Sequence, residues 1–327
     1  MEPDKPPPDQ PSEYHVLDLP SDFRDGMREH RPPFTSLDQL TKTQSPRTLA
    51  VFSDYAGDSS TYWTFAYYIT DFGLYPTLVR ALARVKQEHG IVSPLAYKER
   101  KKLKRMAAFN GWFSEVRRHP GLLVLVAYDK AFELAPAARR TRREAKEKLS
   151  ACGLDVGPDD ALRIVRVGSF IPLVGHLLEP HNRLFWAMDL DRILDTSARL
   201  QAFQRYVKHS VVRAAGHEIA QIELCAPFKE WDDPITKKRL SQYEDLLSIP
   251  DMLAGSMAAV LARDREIHFP DAQTRRIVQS FARLRNPHDV ATLIRPCHLC
   301  IYVFDRLSRS DGPVLRLSEC PEENDET

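Results

Sequence analysis

The sequence predicts an α/β protein in which a β-sheet is flanked by helices, and three observations lead to this prediction. Residues 49–70 contain two apolar runs separated by a turn of small residues, which is typical of a β-hairpin. Residues 121–128 (GLLVLVAY) form the most apolar run of the chain, as expected of a central strand that is buried on both faces. Helical apolar patterns alternate with these and with later strand-like runs.

The composition is that of a globular protein with no overall electrostatic bias. The 327 residues include 46 Lys and Arg against 45 Asp and Glu, so attraction to nucleic acid must come from a local cluster of cations. Five irregularly spaced Cys argue against a disulfide scaffold and fit a reducing compartment. With neither a signal peptide nor an apolar run long enough to span a bilayer, we expect a cytoplasmic protein without a membrane partner.

Proline content separates the first segment from the rest of the chain. Residues 1–46 hold 9 of the 24 Pro and little apolar periodicity, so we expect a mostly disordered tail there. Residues 47–265 are predicted to form the main domain, and residues 266–327 a C-terminal α+β extension. The tail and the extension are both candidate contacts for a protein partner.

The predicted hairpin carries two acids near its turn. Asp54 closes the first apolar run, and Asp58 follows Gly57 in the turn. A carboxylate at the end of a buried strand can face solvent or a metal ion while the strand itself stays in the core. The alternative is an ordinary Asp-Gly turn, in which the acids only favour the turn backbone.

A basic run follows the helix predicted for residues 74–89. Residues 97–105 (YKERKKLKR) hold six cations and lead into an amphipathic helix that reaches Val116. Such a run is either a solvated helix face or a surface that contacts phosphates. We predict nucleic-acid contacts for its six cations, which are Lys98, Arg100, Lys101, Lys102, Lys104 and Arg105.

Later elements place two more acids beside predicted strands or helices. Residues 161–167 could be strand or helix, whereas residues 184–189 read as a strand that ends at Asp189. A helix is predicted to begin near Pro250, with Asp251 at the positive end of its dipole and small residues that allow close approach to the sheet. The lone C-x-x-C of Cys297 and Cys300 is predicted to be a redox-inert pair at the start of a strand.

The spaced acids indicate one kind of metal chemistry. Oxygen ligands without His or Cys suit Mg²⁺ or Mn²⁺. Carboxylates that converge from several elements can hold two such ions for in-line attack on a phosphodiester. The candidate ligands are Asp54, Asp58, Asp189 and Asp251.

Two short motifs resemble those of a known family. Residues 54–58 (DYAGD) and 250–255 (PDMLAG) are similar to the D-E-S-G-D strand end and the A-D-L-hydrophobic-A-G helix start of the RNase H-like proteins catalogued as domain of unknown function thirty-eight hundred. The resemblance covers about residues 49–263. It implies an RNase H-like mixed sheet flanked by helices, with catalytic roles for Asp54, Asp251, Lys98 and Asp189.

The motifs also depart from the family pattern at two positions. Tyr55 stands where the family has Glu, and Pro250 where it has Ala. One expected metal ligand is therefore missing unless Asp58 supplies it.

Three functions remain open from the sequence. The resemblance implies a metal-dependent nuclease that cleaves DNA or RNA with two Mg²⁺ or Mn²⁺ ions, in a setting such as mobile-element or phage defence. The second is a non-catalytic RNase H-like module that binds nucleic acid or protein. The third is a phosphatase of the haloacid-dehalogenase type, because residues 188–193 (MDLDRI) resemble its D-x-D-x-T/V nucleophile loop, with Ile193 in place of Thr or Val.

Overall fold

The described part of the chain is an α/β fold with one mixed six-stranded sheet and helices on both of its faces. A computed structural model describes residues 47–131, 136–168, 170, 174–175, 177–178, 180–188, 196–225, 234–262, 265–284 and 297–304. The predicted fold class is confirmed at this level. The predicted tail at residues 1–46 lies outside the described residues.

The sheet combines an antiparallel meander with parallel strands on either side. Its strands are β1 (Thr48–Ala56), β2 (Tyr62–Asp71), β3 (Gly121–Asp129), β4 (Arg183–Met188), β5 (Gln221–Cys225) and β6 (Cys297–Phe304), in the spatial order β5-β4-β1-β2-β3-β6. Strands β1, β2 and β3 are antiparallel to their neighbours in the meander. Strand β4 is parallel to β1, β5 to β4, and β6 to β3.

Seven described helices cover the two faces of the sheet. They are α1 (Tyr75–Glu88), α2 (Leu103–Arg118), α3 (Pro136–Ala151), α4 (Pro158–Gly168), α5 (Ser197–Ala215), α6 (Pro234–Val260) and α7 (Ala272–Ala282). Helices α3, α4 and α5 pack on what we call the first face, and α1, α2, α6 and α7 on the second face. A short 3-10 turn, Tyr97–Glu99, precedes α2. Within the described residues, no helix combines the length and the apolar character needed to cross a bilayer.

The hairpin of β1 and β2 forms where the sequence predicts it. Leu49 and Val51 point to the first face, whereas Ala50 and Phe52 point to the second face. All ten residues of β2 are buried, because helices cover both faces. Gly57 in the connecting turn has φ of +124°, a backbone conformation that favours glycine.

Residues 161–167, for which the sequence allowed either strand or helix, are helical and belong to α4. Pro158 opens the helix, and Asp159 and Asp160 lie in its first turn, where negative charge is favourable. Ile164 and Val165 are buried against the first face.

The predicted helix start at Pro250 is wrong, because α6 begins at Pro234 and continues through Pro250 to Val260. A proline inside a helix removes one backbone hydrogen bond and costs about 3 kcal/mol. Leu246, Ile249 and Leu253 surround this position and are fully buried. Burial of each stabilises the fold by about 1.5–3 kcal/mol, so packing outweighs the local preference. Asp251 is therefore inside a helix and not at its positive end.

The residues assigned to a C-terminal extension contribute directly to the main sheet. Strand β6 pairs with β3 along its whole length, and α7 packs on the second face. The unpaired edge of β3 is thereby covered. Cys297 packs on the second face and Cys300 on the first, and burial raises the pKa of each thiol to about 12. Neither thiol is ionised near neutral pH, which agrees with a redox-inert pair.

A candidate carboxylate site between strand β1 and helix α6

Strand β1 and helix α6 bring Asp54 and Asp251 together. Asp54 follows Phe52 by two residues and therefore points to the second face, where α6 packs on β1 and β2. Helix and sheet are in direct contact here, because the Thr64 hydroxyl donates to the Ala254 carbonyl at 2.9 Å. The carboxyl groups of Asp54 and Asp251 lie within hydrogen-bonding reach of each other.

The 3-10 turn before α2 supplies the other groups around Asp251. The backbone N–H of Tyr97 donates to Oδ2 of Asp251 at 2.7 Å. Burial raises the pKa of Asp251 above the ordinary value, while the Tyr97 N–H, Asp54 and the charge of Lys98 act in the opposite direction. Lys98 itself is exposed. The site is thus a half-buried pair of acids beside one exposed ammonium group.

The two carboxylates are ligands of the kind that bind a hard divalent cation. Mg²⁺ is commonly bound through one or two carboxylates and keeps several waters. A cation between Asp54 and Asp251 would favour the charged form of Asp251, which burial disfavours. Among the described residues, no group of three or more His, Cys, Asp or Glu side chains is arranged around one metal position. Within the described part of the chain, at most these two carboxylates could share one cation.

The predicted metal ligand Asp58 stands apart from this pair, whereas the structure does not describe Asp189. The Asp58 side chain is 78% exposed, and its Oδ1 lies 3.4 Å from Nη2 of Arg163, a residue of the first-face helix α4. Asp189 lies outside the described residues, as does most of the phosphatase-like segment 188–193. The residue before it, Met188, is in register with Ser53, the residue before Asp54.

Tyr55 points away from the acid pair. Its ring stacks on Phe65 with centroids 6.3 Å apart, within the first-face core. Adjacent residues of a strand point to opposite faces, so the departure from the family's Glu falls on the side of the sheet opposite the Asp54 side chain.

The predicted basic surface divides into inward and outward cations. Arg100 donates to Thr274 and Asp271, and Arg105 to the Pro94 carbonyl, so both arginines hold the protein's own structure. Lys102 pairs with Glu99 at 2.5 Å but remains 63% exposed. Lys101 and Lys104 are exposed, as is Lys98.

Two contributors to the site carry no signal in the sequence. The Tyr97 donor is a backbone group, and any residue but proline could supply it. In the sequence Thr64 is an ordinary strand residue, and only the packing of α6 across β2 shows that it contributes to the site. Asp271 does have a signal, because an Asp at a helix start is a preferred N-cap, and it accepts from the Thr274 backbone N–H at 2.7 Å. Comparison of the chain with family models, with curated proteins and with solved structures gave no match.

Proposed function

We propose that the protein is a metal-dependent nuclease that cleaves phosphodiester bonds in DNA or RNA, with Mg²⁺ or Mn²⁺ at Asp54 and Asp251. The observation that carries the proposal is the convergence of these two acids, which lie in different elements, with the Tyr97 N–H and Lys98 beside them. The mixed sheet with helices on both faces is compatible with the RNase H-like fold that the two motifs imply.

Burial separates this pair from acids that merely lie on a surface. A carboxylate at the surface needs no partner, whereas a half-buried pair of carboxylates is unfavourable unless a proton or a cation lies between them. Burial raises the pKa of Asp251, so the charged form of this carboxylate is disfavoured at its position. Selection for stability alone would favour a neutral side chain at one of the two positions.

Each residue of the site has a definite role in this proposal. Asp54 and Asp251 hold the ion, which when bound polarises a phosphoryl oxygen and lowers the pKa of a coordinated water. The Tyr97 N–H fixes one oxygen of Asp251, so that the carboxylate keeps its orientation. Lys98 is exposed next to Asp251 and can contact the anionic phosphate of the substrate. Lys101, Lys102 and Lys104 extend this positive surface.

A two-metal mechanism requires a further carboxylate. Asp58 does not join the described pair, because it lies against Arg163. Asp189 is the remaining candidate from the sequence, and an Asp189→Asn variant tests it directly. If this change halves the Mn²⁺ stoichiometry, Asp189 completes a second site.

The second candidate function is a non-catalytic module that binds nucleic acid through the exposed lysines. It is favoured by the finding that the described acids form no cluster of three ligands. The two functions share the lysine surface and differ in the need for a metal.

Calorimetry with Mn²⁺ and a cleavage assay separate the two functions. The nuclease proposal predicts binding heat for the wild type, none for the Asp54→Asn, Asp251→Asn double variant, and metal-dependent cleavage of labelled single- or double-stranded DNA or RNA by the wild type alone. If both proteins bind oligonucleotide equally and neither binds Mn²⁺, the nuclease proposal is wrong and the binding module remains.

A further inference from the structure

Arg100 stands in the basic run but is directed into the protein. Its side chain is 17% exposed, whereas that of Lys102, two residues later, is 63% exposed. Its Nη2 donates to Oδ2 of Asp271 at 3.0 Å, and its Nε donates to the Thr274 hydroxyl at 3.0 Å. A planar guanidinium presents its N–H donors in a fixed fork and suits such a pair of acceptors better than the single ammonium group of a lysine does.

The partners of Arg100 are themselves fixed. Thr274 is fully buried in the first turn of α7, and Asp271 is the N-cap of the same helix. Asp271 therefore accepts from both the helix backbone and the guanidinium. The N-terminal end of α7 is a rigid anchor for whatever Arg100 holds.

Arg100 holds the turn that borders the acid pair. Its guanidinium lies over the Tyr97 ring, 4.3 Å from the centroid, and the Tyr97 hydroxyl shares the Thr274 oxygen at 3.0 Å. The ring rests on α6 at Gly255, where an added Cβ would lie 2.5 Å from Tyr97 Cγ. The ring of Tyr97 is thus enclosed by Arg100, Thr274 and a glycine of α6.

The turn needs this support because it has little stability of its own. Residues Tyr97–Glu99 form a three-residue 3-10 helix without a side-chain cap. Such short turns have poor hydrogen-bond geometry and depend on tertiary contacts. The backbone N–H of Tyr97 nevertheless donates to Asp251 at 2.7 Å, and Lys98 is the next residue in the chain.

We infer that Arg100 is a positioning residue: through Asp271 and Thr274 it fixes the Tyr97 turn against helix α6, so that the Tyr97 N–H and Lys98 keep their places at Asp251. Arg100 thereby acts on the site through the turn and does not contact nucleic acid. The inference goes beyond the proposed function, and only its metal readout rests on that function.

Two variants and one control test the inference. Arg100→Gln removes the guanidinium, and Thr274→Val removes the shared hydroxyl while keeping the shape of the side chain and every charge. Lys101→Gln makes the same change of charge as Arg100→Gln at an exposed neighbouring position. Each protein is measured without metal for amide hydrogen exchange at Tyr97, and then for Mn²⁺ affinity and oligonucleotide affinity.

We expect exchange at the Tyr97 amide to become about tenfold faster or more in Arg100→Gln and Thr274→Val, because the turn opens more often, and to stay unchanged in Lys101→Gln. Mn²⁺ affinity should fall about 10- to 100-fold in the first two variants, as is usual when a group that orients a ligand is lost. Combining the two changes should add little to either. Arg100→Lys should not restore the wild-type values.

Unchanged Tyr97 exchange in both variants overturns the inference. It is also overturned if Arg100→Gln leaves exchange and Mn²⁺ affinity intact but weakens oligonucleotide binding as Lys101→Gln does, since Arg100 would then be a phosphate contact. If the wild type binds no Mn²⁺, the proposed function fails, and the exchange measurement alone decides whether Arg100 positions the turn.

Discussion

Replacing Asp251 by Asn should stabilise the metal-free protein and abolish its stabilisation by metal. Asn keeps the shape of the side chain and can still accept the hydrogen bond from the Tyr97 N–H. It removes a half-buried negative charge from beside Asp54. Loss of the hydrogen bond between the charged Asp251 and Asp54, and of the attraction to Lys98, opposes this gain. Burial is the largest influence on the pKa of Asp251, so the gain prevails.

The pH dependence of the effect follows from the direction of that shift. The folded state holds the proton of Asp251 more tightly than the unfolded state does, because its pKa is raised by burial. This contribution to stability is fully present below the ordinary pKa of an Asp and is lost as the pH rises through the raised value. The advantage of Asp251→Asn should therefore be largest at neutral pH and shrink as the pH falls towards 4.

The second part of the prediction concerns the stabilisation of the folded protein by metal. At a Mn²⁺ concentration one hundred times Kd, the wild type should gain about 2.7 kcal/mol of unfolding free energy, and Asp251→Asn should gain almost none. Denaturant unfolding of both proteins with and without Mn²⁺, at pH 7 and pH 5, measures each effect.

Asp58→Asn is the matched control for this experiment. The same change is made at an acid that is 78% exposed and paired with Arg163, so stability should change by less than about 0.5 kcal/mol and the response to Mn²⁺ should persist. If Asp251→Asn lowers stability equally with and without metal, the carboxylate only serves the fold and the proposed site is wrong.

Three further changes test two contacts of helix α6 and one lysine of the basic run. Gly255→Ala should lower the unfolding free energy by about 1–2 kcal/mol in denaturant titrations. The new Cβ would clash with the Tyr97 ring, and the free-energy cost of this clash exceeds the gain in helix propensity. Lys86→Met should cost about 3–5 kcal/mol, since it strands the buried carboxylate of Asp245, which lies 2.5 Å from Lys86 Nζ, and a second change of Asp245 to Leu should recover most of that loss. Lys101→Glu should weaken oligonucleotide binding at low salt, flatten the dependence of log K on log salt, and leave the melting temperature unchanged. Unchanged affinity would assign Lys101 to the solvated surface.

Local pattern was sufficient to predict most of the sheet. The apolar runs that became β1, β2 and β3 are buried on both faces, and such strands read as nearly continuous apolar segments. The long helix α6 was predicted only in part, because a proline at position 250 is a local signal for a helix start. That signal was overridden by the apolar residues packed around it, which are distant in sequence from the elements they contact.

The site was predicted only as far as residue type and spacing allow. Acids at strand ends are common in α/β proteins, so the sequence offered Asp54, Asp58, Asp189 and Asp251 without indicating which of them meet. Alternation along β1 puts Asp54 on the second face, and the same alternation puts Tyr55 on the first. Whether α6 or another helix covers the Asp54 side chain depends on packing across the whole sheet, and no local pattern carries that information.

The basic run is a second case in which the sequence does not show which side chains face solvent. Six cations in eight residues look alike in the sequence, and all were predicted to contact nucleic acid. Arg100 and Arg105 are 17% and 12% exposed, and they pair with Asp271 and Glu99. The two arginines hold the turn and the loop before α2, whereas the lysines around them remain exposed. This division has a physical basis, since the guanidinium is more weakly hydrated and can bridge several acceptors, while the ammonium group is more strongly hydrated. A binding surface built on this run is therefore a lysine surface, and its position relative to Asp251 depends on its two half-buried arginines.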